Sequence, residues 1–210
     1  MNEVSTTVHP VITIGRQLGS GGFLVAKILS NRLAIPFFDK ELITLAAQES
    51  GLRKEFFEKA DEKNSFSIFG NFIGATFGNM QDSNYLSNET LFKIQSDVIR
   101  NIAQKGSCIF VGRCADYILR NNPNLLSVFI SANIEDRIKM LVKEKNVSPK
   151  EAKRLTEQAD KKRSAYYNYY SNKVWGTATC YDICVNTSAL GLGKTTDLLF
   201  EIFSYKFKRS

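Results

Sequence analysis

A cluster of glycines next to an arginine is the part of this sequence best suited to chemistry. It follows the apolar run Val-Ile-Thr-Ile at 11–14, and Arg16 lies inside it. The four glycines of the cluster are Gly15, Gly19, Gly21 and Gly22. Glycine lets the backbone come close to an anion, and the N–H groups at the start of a helix bind phosphate. The stretch therefore predicts a phosphate-binding loop between a strand and a helix.

This loop lacks the lysine of the common phosphate-binding motif. That motif, G-x-x-x-x-G-K-[ST], adds a lysine for the β- and γ-phosphates and a hydroxyl that binds Mg²⁺. Gly22 falls near the lysine position, and Ser20 supplies a hydroxyl within the loop, which makes it the predicted metal ligand. Arg16 is the nearest cation, so we expect it to replace the lysine, with Lys27 as the rival candidate.

Two further stretches resemble nucleotide sites but fit their motifs poorly. Asp39 lies where a dinucleotide-binding fold places its ribose-binding acid, but G-x-G-x-x-G fails because its sixth position is Leu24. Asp39 is equally suited to capping a helix. The GLGKTT stretch at 191–196 resembles the end of a phosphate loop, yet Ser188 replaces the first glycine. We therefore predict a loop and helix start at Gly193–Thr195.

Short β-prone runs alternate with segments of helical periodicity. The runs are 11–14, 35–38, 108–111, 125–130 and 181–185. This alternation predicts βαβ units, and hence an α/β fold with a five-stranded parallel sheet flanked by helices. Apolar residues at helical spacing between Gly22 and Leu33 predict a first helix directly after the glycines. A long helix is predicted after Ser148, within the charged segment 143–170, with Pro149 in its first turn.

Two long gaps interrupt this alternation, at 39–107 and 137–178. Gaps of this length hold helices of their own and can form subdomains beside the ligand edge of a sheet. The first gap contains a glycine- and phenylalanine-rich run at 65–80. A mobile loop is the favoured interpretation of this run over a helix packed against a partner, because each helical glycine costs about 1 kcal/mol.

The composition is that of a basic globular chain. Lysine and arginine number 28 against 21 aspartates and glutamates, which gives the 210 residues a net charge of +7. That charge suits a polyanionic ligand such as a nucleotide or nucleic acid. Because the first residues lack a signal-peptide pattern and no apolar run is long enough to cross a membrane, we expect a cytoplasmic protein without a membrane partner. The four cysteines form no C-x-x-C pair, so buried reduced thiols are expected rather than zinc.

Six stretches of the chain, in order, resemble the cytidylate kinase-like family, a branch of the P-loop nucleoside monophosphate kinases. They are ITIGRQLGSGG, LAIPFFDKELI, CIFVGRCADYIL, VFISANIEDR, DKKRSAYY and YDICVNTSALG. The resemblance covers most of the chain. It implies one P-loop kinase domain with a core at 8–39, 106–142 and 177–210, a monophosphate-binding insertion at 40–105 and a lid at 143–176 that closes over ATP.

The resemblance also implies roles for individual residues. The glycine loop, Gly15 to Gly22 with Ser20, would hold the phosphates of ATP with Mg²⁺. The acceptor side would be formed by Asp39, Arg113 and Asp116, where Arg113 matches an arginine that grips the acceptor phosphate. Four residues would act on the transferred phosphoryl group: Arg16, Arg137, Asp160 and Arg163. Arginines that converge on this group make physical sense, because its transition state needs charge neutralisation and positioning.

Three departures from the family pattern leave the substrate open. Cys114 replaces the aspartate of the G-R-D motif, Asn88 replaces an arginine, and Ala159 replaces an arginine before the lid aspartate. ATP-dependent phosphorylation of CMP or dCMP is the expected activity, with small nucleotides as partners and no nucleic acid. The alternatives are another small phosphorylated acceptor, a nucleotide-binding module without catalysis, and a nucleic-acid-binding protein suggested by KKRSAYYNYY at 161–170. A homodimer is also left open.

Overall fold

The computed structural model describes residues 9–43 and 85–207 and has a parallel sheet at its centre. The strands are β1 (Val11–Arg16), β2 (Phe37–Phe38), β3 (Cys108–Val111), β4 (Leu125–Ser131) and β5 (Ile183–Asn186). They lie in the order β2-β3-β1-β4-β5, and every neighbouring pair is parallel. The predicted α/β fold with a five-stranded parallel sheet flanked by helices is confirmed.

The central strand β1 carries the glycine loop at its carboxyl end. Val11, Ile12 and Ile14 are almost fully buried, as expected for a strand covered on both faces. The last pairing of β1 with β3 joins Ile14 to Val111, whereas its pairing with β4 continues to Arg16. β1 therefore extends two residues beyond its pairing with β3, and Arg16 lies at the carboxyl edge of the sheet.

Six helices and one 3₁₀ turn accompany the strands in the described part of the chain. They are α1 (Gly22–Leu33), α2 (Tyr85–Lys105), α3 (Ala115–Ile118), α4 (Ile134–Lys145), α5 (Pro149–Ser171) and α6 (Thr187–Phe207), with the 3₁₀ turn at Ala178–Cys180. Residues 40–43 are also helical. None of the helices in these ranges is long and apolar enough to cross a membrane.

The predicted helices after Gly21 and Ser148 are both present. Ser148 caps α5, because its Oγ accepts a hydrogen bond of 3.2 Å from the Glu151 N–H, and Pro149 occupies the first turn. The helix start predicted at Gly193–Thr195 lies within two residues of a break between two helical segments of α6, but the predicted loop is wrong at those positions, since they are helical. The break in α6 falls at Gly191, whose φ is 73°.

Two strands begin later than predicted, because the residues before them belong to a helix cap or a turn. β2 begins at Phe37 rather than at residue 35, because the Ile35 N–H donates to the Ser30 carbonyl at the end of α1. β5 begins at Ile183 because the 3₁₀ turn precedes it. Both strands begin two residues later than predicted and keep their place in the sheet.

The apolar core lies between the sheet and helices α1 and α6. Its buried members include Ile12 and Ile14 of β1, Val25 and Leu29 of α1, and Leu199 of α6. All four cysteines are free thiols, as predicted, but only Cys108 and Cys114 are buried; the predicted burial is wrong for Cys180, which is half-buried, and for Cys184, which is exposed.

The chain divides into two compact units. One comprises Met1–Lys40 and Ile102–Ser210, and the other comprises Glu41–Asn101. The five described strands and all the predicted site residues belong to the first unit. The assignment of an acceptor-binding insertion at 40–105 and a lid at 143–176 stays a prediction, and the run at 65–80 lies outside the described residues.

Candidate active site

The glycine loop turns the chain from β1 into helix α1. Gly21 is the N-cap of α1 and has a φ of 75°, in the left-handed region that favours glycine. A Cβ atom on Gly21 would also collide with the Leu192 side chain of α6. The left-handed backbone and the contact with Leu192 explain why the chain needs glycine here even without a ligand.

Several backbone N–H groups of this loop have no acceptor in the described part of the chain. They belong to Gly19, Gly21, Gly22 and Phe23. The loop ends at the start of a helix, where the helix dipole adds partial positive charge. These amides therefore form a site suited to phosphate oxygens.

Ser20 stabilises the loop from within. It is 2% exposed, and its Oγ donates to the Gln17 carbonyl at 2.9 Å. Its own carbonyl accepts a hydrogen bond of 2.9 Å from the Thr187 Oγ1 at the start of α6, and Thr187 also donates to Ser131. The described contacts of Ser20 are thus internal to the protein, and its role as a metal ligand stays a prediction. Thr187 was missed by the sequence analysis.

Arg16 is the last residue of β1, and its side chain lies against the loop. A Cβ atom on Gly22 would lie 2.6 Å from the Arg16 Cβ and 3.1 Å from its Cγ, so the arginine stem covers Gly22. At the other end of the side chain, Nη1 lies against Gly112. Within the described residues, the guanidinium forms neither a hydrogen bond nor an ion pair.

Three guanidinium groups and one carboxylate form a cluster around this position. We call Arg16, Arg113, Arg163 and Asp39 the arginine cluster. Burial is the main cause that lowers the pKa of Arg16; the charges of Arg163 and Arg113 lower it further, and Asp39 raises it. Because guanidinium groups stay charged at neutral pH, the cluster carries excess positive charge beside the glycine loop.

Arg113 enters the cluster from an unusual turn after β3. Gly112, Arg113 and Cys114 have φ values of 77°, 60° and 55°, so two non-glycine residues adopt the left-handed conformation in succession. A non-glycine residue in this conformation lowers the stability of the fold by about 1 kcal/mol or more, and such residues are concentrated at functional sites. The Arg113 guanidinium lies 5.5 Å from the centre of the Tyr166 ring, and burial lowers its pKa.

Arg137 and Asp160 hold the loop backbone between them. Arg137 is 6% exposed; its Nε donates to the Leu18 carbonyl at 2.8 Å, and its Nη2 is paired with Asp160. Asp160 accepts a hydrogen bond of 2.9 Å from the Leu18 N–H. Both polar groups of Leu18 are therefore bound by this ion pair. The described contacts give these two residues a positioning role, and their predicted part in catalysis stays a prediction.

Arg163 connects helix α5 to the arginine cluster. Its Nη1 donates to the Arg16 carbonyl at 3.1 Å and lies 4.0 Å from Asp160. Burial lowers its pKa, while Asp160 raises it. Among the described residues of the predicted lid, Arg163 is therefore a member of the cluster, and Tyr166 reaches it through its ring beside the Arg113 guanidinium.

Asp116 lies in a separate polar contact. Its Oδ2 accepts a hydrogen bond of 2.7 Å from the Tyr167 hydroxyl, and burial raises its pKa. Tyr167 packs against Tyr181, which packs on Phe129. This aromatic group fastens the end of α5 to the sheet, and Gly15 makes room for it, because a Cβ there would lie 2.9 Å from the Phe129 ring. The acceptor role of Asp116 stays a prediction.

Comparison with known proteins gives a consistent family relationship. Residues 11–189 match the model of the cytidylate kinase-like family. The cytidylate kinase of Methanosarcina barkeri is 26% identical over 190 residues, which cover 90% of this chain and 93% of that protein. The cytidylate kinase of Methanosarcina acetivorans is 25% identical over the same shares of both proteins.

Solved structures support the fold. An uncharacterized protein from Eubacterium ventriosum has a TM-score of 0.72 at 29% identity, with 93% of this chain and 98% of that chain covered. A shikimate kinase from Bacteroides thetaiotaomicron has a TM-score of 0.52 at 13% identity, with the same coverage. The second likeness concerns the fold alone.

Proposed function

The chain belongs to the cytidylate kinase-like family, and from this membership and the site geometry we propose that it transfers the γ-phosphoryl group of ATP to a nucleoside monophosphate. CMP and dCMP are the first candidates, because the curated relatives at 25–26% identity are cytidylate kinases. The acceptor is the least constrained part of the proposal, since Cys114 departs from the family pattern beside Arg113.

The observation that carries the proposal is the arginine cluster beside the free amides of the glycine loop. Phosphoryl transfer spreads negative charge over the oxygens of the transferred group, and catalysis consists largely of positioning and neutralising that charge. Within the cluster, three guanidiniums face one carboxylate. Such an arrangement has more cations than anions and is suited to two phosphate groups brought close together.

The residues divide between the two substrates by their position. The loop amides and Arg16 would bind the phosphates of ATP. Arg113, held by its left-handed turn, would bind the acceptor phosphate with Asp39 nearby. Arg163, whose Nη1 donates to the Arg16 carbonyl, would neutralise the transferred phosphoryl group.

Magnesium fits this site as a companion of the nucleotide. The described residues contain no cluster of three or more metal-binding side chains. Mg²⁺ is commonly held by substrate phosphates and water with one or two carboxylates, so a dedicated cage is not required. When bound, the ion would neutralise charge on the ATP phosphates.

A nucleotide-binding module without catalysis is the second candidate, favoured by the glycine at the usual lysine position. One experiment separates the two. ADP formation from MgATP is measured with CMP, dCMP, UMP, AMP and GMP in turn, and ATP affinity is measured by calorimetry. The kinase proposal predicts ADP formation stimulated by a monophosphate; ATP binding without ADP formation for any acceptor favours the module.

Turnover of two arginine variants on the same helix, α5, tests whether the arginine cluster is the active site. Arg163→Ala removes a member of the cluster, whereas Arg154→Ala removes an exposed arginine of α5 that pairs with Glu151. We expect a loss of kcat of at least tenfold for Arg163→Ala and unchanged turnover for Arg154→Ala. Equal turnover in the two variants would contradict the assignment of the cluster.

A further inference from the structure

We propose that the cation of the phosphate loop has exchanged places with a glycine, so that the Arg16 guanidinium, crossing Gly22, binds the β- and γ-phosphates of a nucleoside triphosphate. The common motif G-x-x-x-x-G-K begins with glycine and ends with lysine. When this chain is aligned on Gly21 and Gly22, the first position is Arg16 and the last is Gly22. The inference rests on the proposed function, because it concerns the same nucleotide site.

The two positions of the exchange, 16 and 22, also compete for the same space in the structure. A Cβ on Gly22 would lie 2.6 Å from the Arg16 Cβ, 3.1 Å from its Cγ and 3.5 Å from the Ile130 Cβ. Carbon atoms in proteins pack at about 3.5–4.0 Å, so the first two contacts are too close. The Arg16 stem therefore occupies the space from which a side chain at position 22 would start. A cation can extend from position 16 or from position 22, but not from both without rearrangement.

A second glycine accommodates the far end of the same side chain. A Cβ on Gly112 would collide with Nη1 of Arg16, and Gly112 has a φ of 77°. Gly22 beneath the stem and Gly112 beside the guanidinium thus leave a passage for one extended arginine. The passage leads from the end of β1 to the turn that carries Arg113.

The electrostatics of the passage favour an anionic ligand. Arg113 and Arg163 lie close enough to lower the pKa of Arg16, and Asp39 is the carboxylate that opposes them. In the described residues the guanidinium of Arg16 has no hydrogen-bond acceptor. Partly buried cations that repel one another lower the stability of the empty protein, and a bound polyphosphate removes that repulsion. A guanidinium also bridges two phosphate oxygens, which suits the β–γ junction of a triphosphate.

A purely packing role for Arg16 makes a different prediction from phosphate binding. Arg16→Met keeps an unbranched stem over Gly22 but removes the charge. We expect this variant to unfold at or above the wild-type temperature without nucleotide, because repulsion is relieved. We expect its affinity for ATP, measured by calorimetry, to fall at least tenfold, as for a lost charge-assisted hydrogen bond. ATP affinity within twofold of the wild type would overturn the proposal.

The exchange itself is tested by moving the cation back. Gly22→Lys alone should lower the thermal midpoint, since its Cβ meets the Arg16 stem. The double variant Arg16→Gly/Gly22→Lys recreates the spacing G-x-x-x-x-G-K, so it should unfold at a higher temperature than Gly22→Lys. It should also bind ATP more tightly than Arg16→Gly. A Gly22→Lys variant as stable as the wild type, or a double variant that binds ATP no better than Arg16→Gly, would overturn the exchange.

These readouts separate this inference from the proposed function. If Arg16→Met loses ATP affinity while the wild type transfers phosphate to no acceptor tested, the exchange holds and the kinase proposal fails. If the wild type is an active kinase and Arg16→Met binds ATP normally, the kinase proposal holds and the exchange fails. Lys27→Ala removes the exposed lysine of α1, which is the rival cation, and should retain wild-type affinity; a loss of affinity in this variant with normal binding by Arg16→Met would assign the role to Lys27 instead.

Discussion

Removal of Arg137 should destabilise the protein more than removal of any exposed arginine on the neighbouring helix. The Arg137 side chain is 7% exposed, and that of its partner Asp160 is 17% exposed. The pair also binds both polar groups of Leu18, through a 2.8 Å bond to its carbonyl and a 2.9 Å bond from its N–H. Arg137→Ala would leave the Asp160 carboxylate partly buried with its closest cation gone.

Breaking a buried ion pair by removing one partner costs about 3–5 kcal/mol, because an uncompensated charge stays behind. For a chain of this size, each kcal/mol lowers the midpoint of thermal unfolding by about 2–4 °C. We therefore expect Arg137→Ala to lower the midpoint by about 6–20 °C. Asp160→Asn should have a similar effect, since it leaves the Arg137 charge uncompensated while it keeps an acceptor for the Leu18 N–H.

Urea and thermal unfolding without nucleotide provide the assay, with Arg154→Ala as the matched control. Arg154 pairs with Glu151 on the exposed face of α5, and we expect no resolved change when it is removed. The double variant Arg137→Ala/Asp160→Ala should be destabilised by less than the summed effects of the two single alanine variants, because each single variant already removes the same ion pair. An Arg137→Ala midpoint equal to that of Arg154→Ala would refute this account of the loop.

Three further predictions concern the acceptor side and the aromatic anchor. Burial raises the pKa of Asp116, so the folded state binds its proton more tightly, and this residue's contribution to stability falls as pH rises from about 4 through the raised pKa. When the free energy of unfolding is measured with urea between pH 4 and 8, it should fall in this way for the wild type but not for Asp116→Asn. The same pH profile in both proteins would contradict the assignment. Tyr167→Phe removes the 2.7 Å hydrogen bond to Asp116 and should cost about 2 kcal/mol in the same assay; a cost too small to measure would show that the bond does not anchor α5. Arg113→Ala should raise KM for the acceptor at least tenfold and that for ATP less than twofold in steady-state kinetics, whereas equal increases would indicate a structural role.

The fold could be predicted because its signals are local. Apolar β-prone runs gave all five strands, and the helix after Ser148 follows from its cap and from Pro149. The errors lie at the ends of elements, where a helix cap or a backbone break moves a boundary by two residues. Ile35 belongs to the cap of α1 rather than to β2, because its N–H donates to the Ser30 carbonyl. The break in α6 falls at Gly191, two residues before the predicted position.

The site could be predicted only in part, because its contacts join residues distant in sequence. The glycines indicate a phosphate loop by their spacing, but nothing in the spacing shows that Asp160 binds the amide of Leu18, 142 residues earlier in the chain. The same holds for Gly112, whose missing side chain makes room for the Arg16 guanidinium. Thr187 lies in a stretch similar to the family but carries no motif of its own, so its hydrogen bond to Ser20 had no signal in the sequence.

The most direct test of the central claim is the transfer of labelled phosphate from [γ-³²P]ATP to CMP by the purified wild-type protein, with products separated by chromatography. We expect labelled CDP to form in amounts equal to the ADP released, and we expect its formation to fall at least tenfold in Arg163→Ala but not in Arg154→Ala. Labelled inorganic phosphate or unchanged ATP, with no labelled diphosphate from CMP, dCMP or any other monophosphate tested, would contradict it.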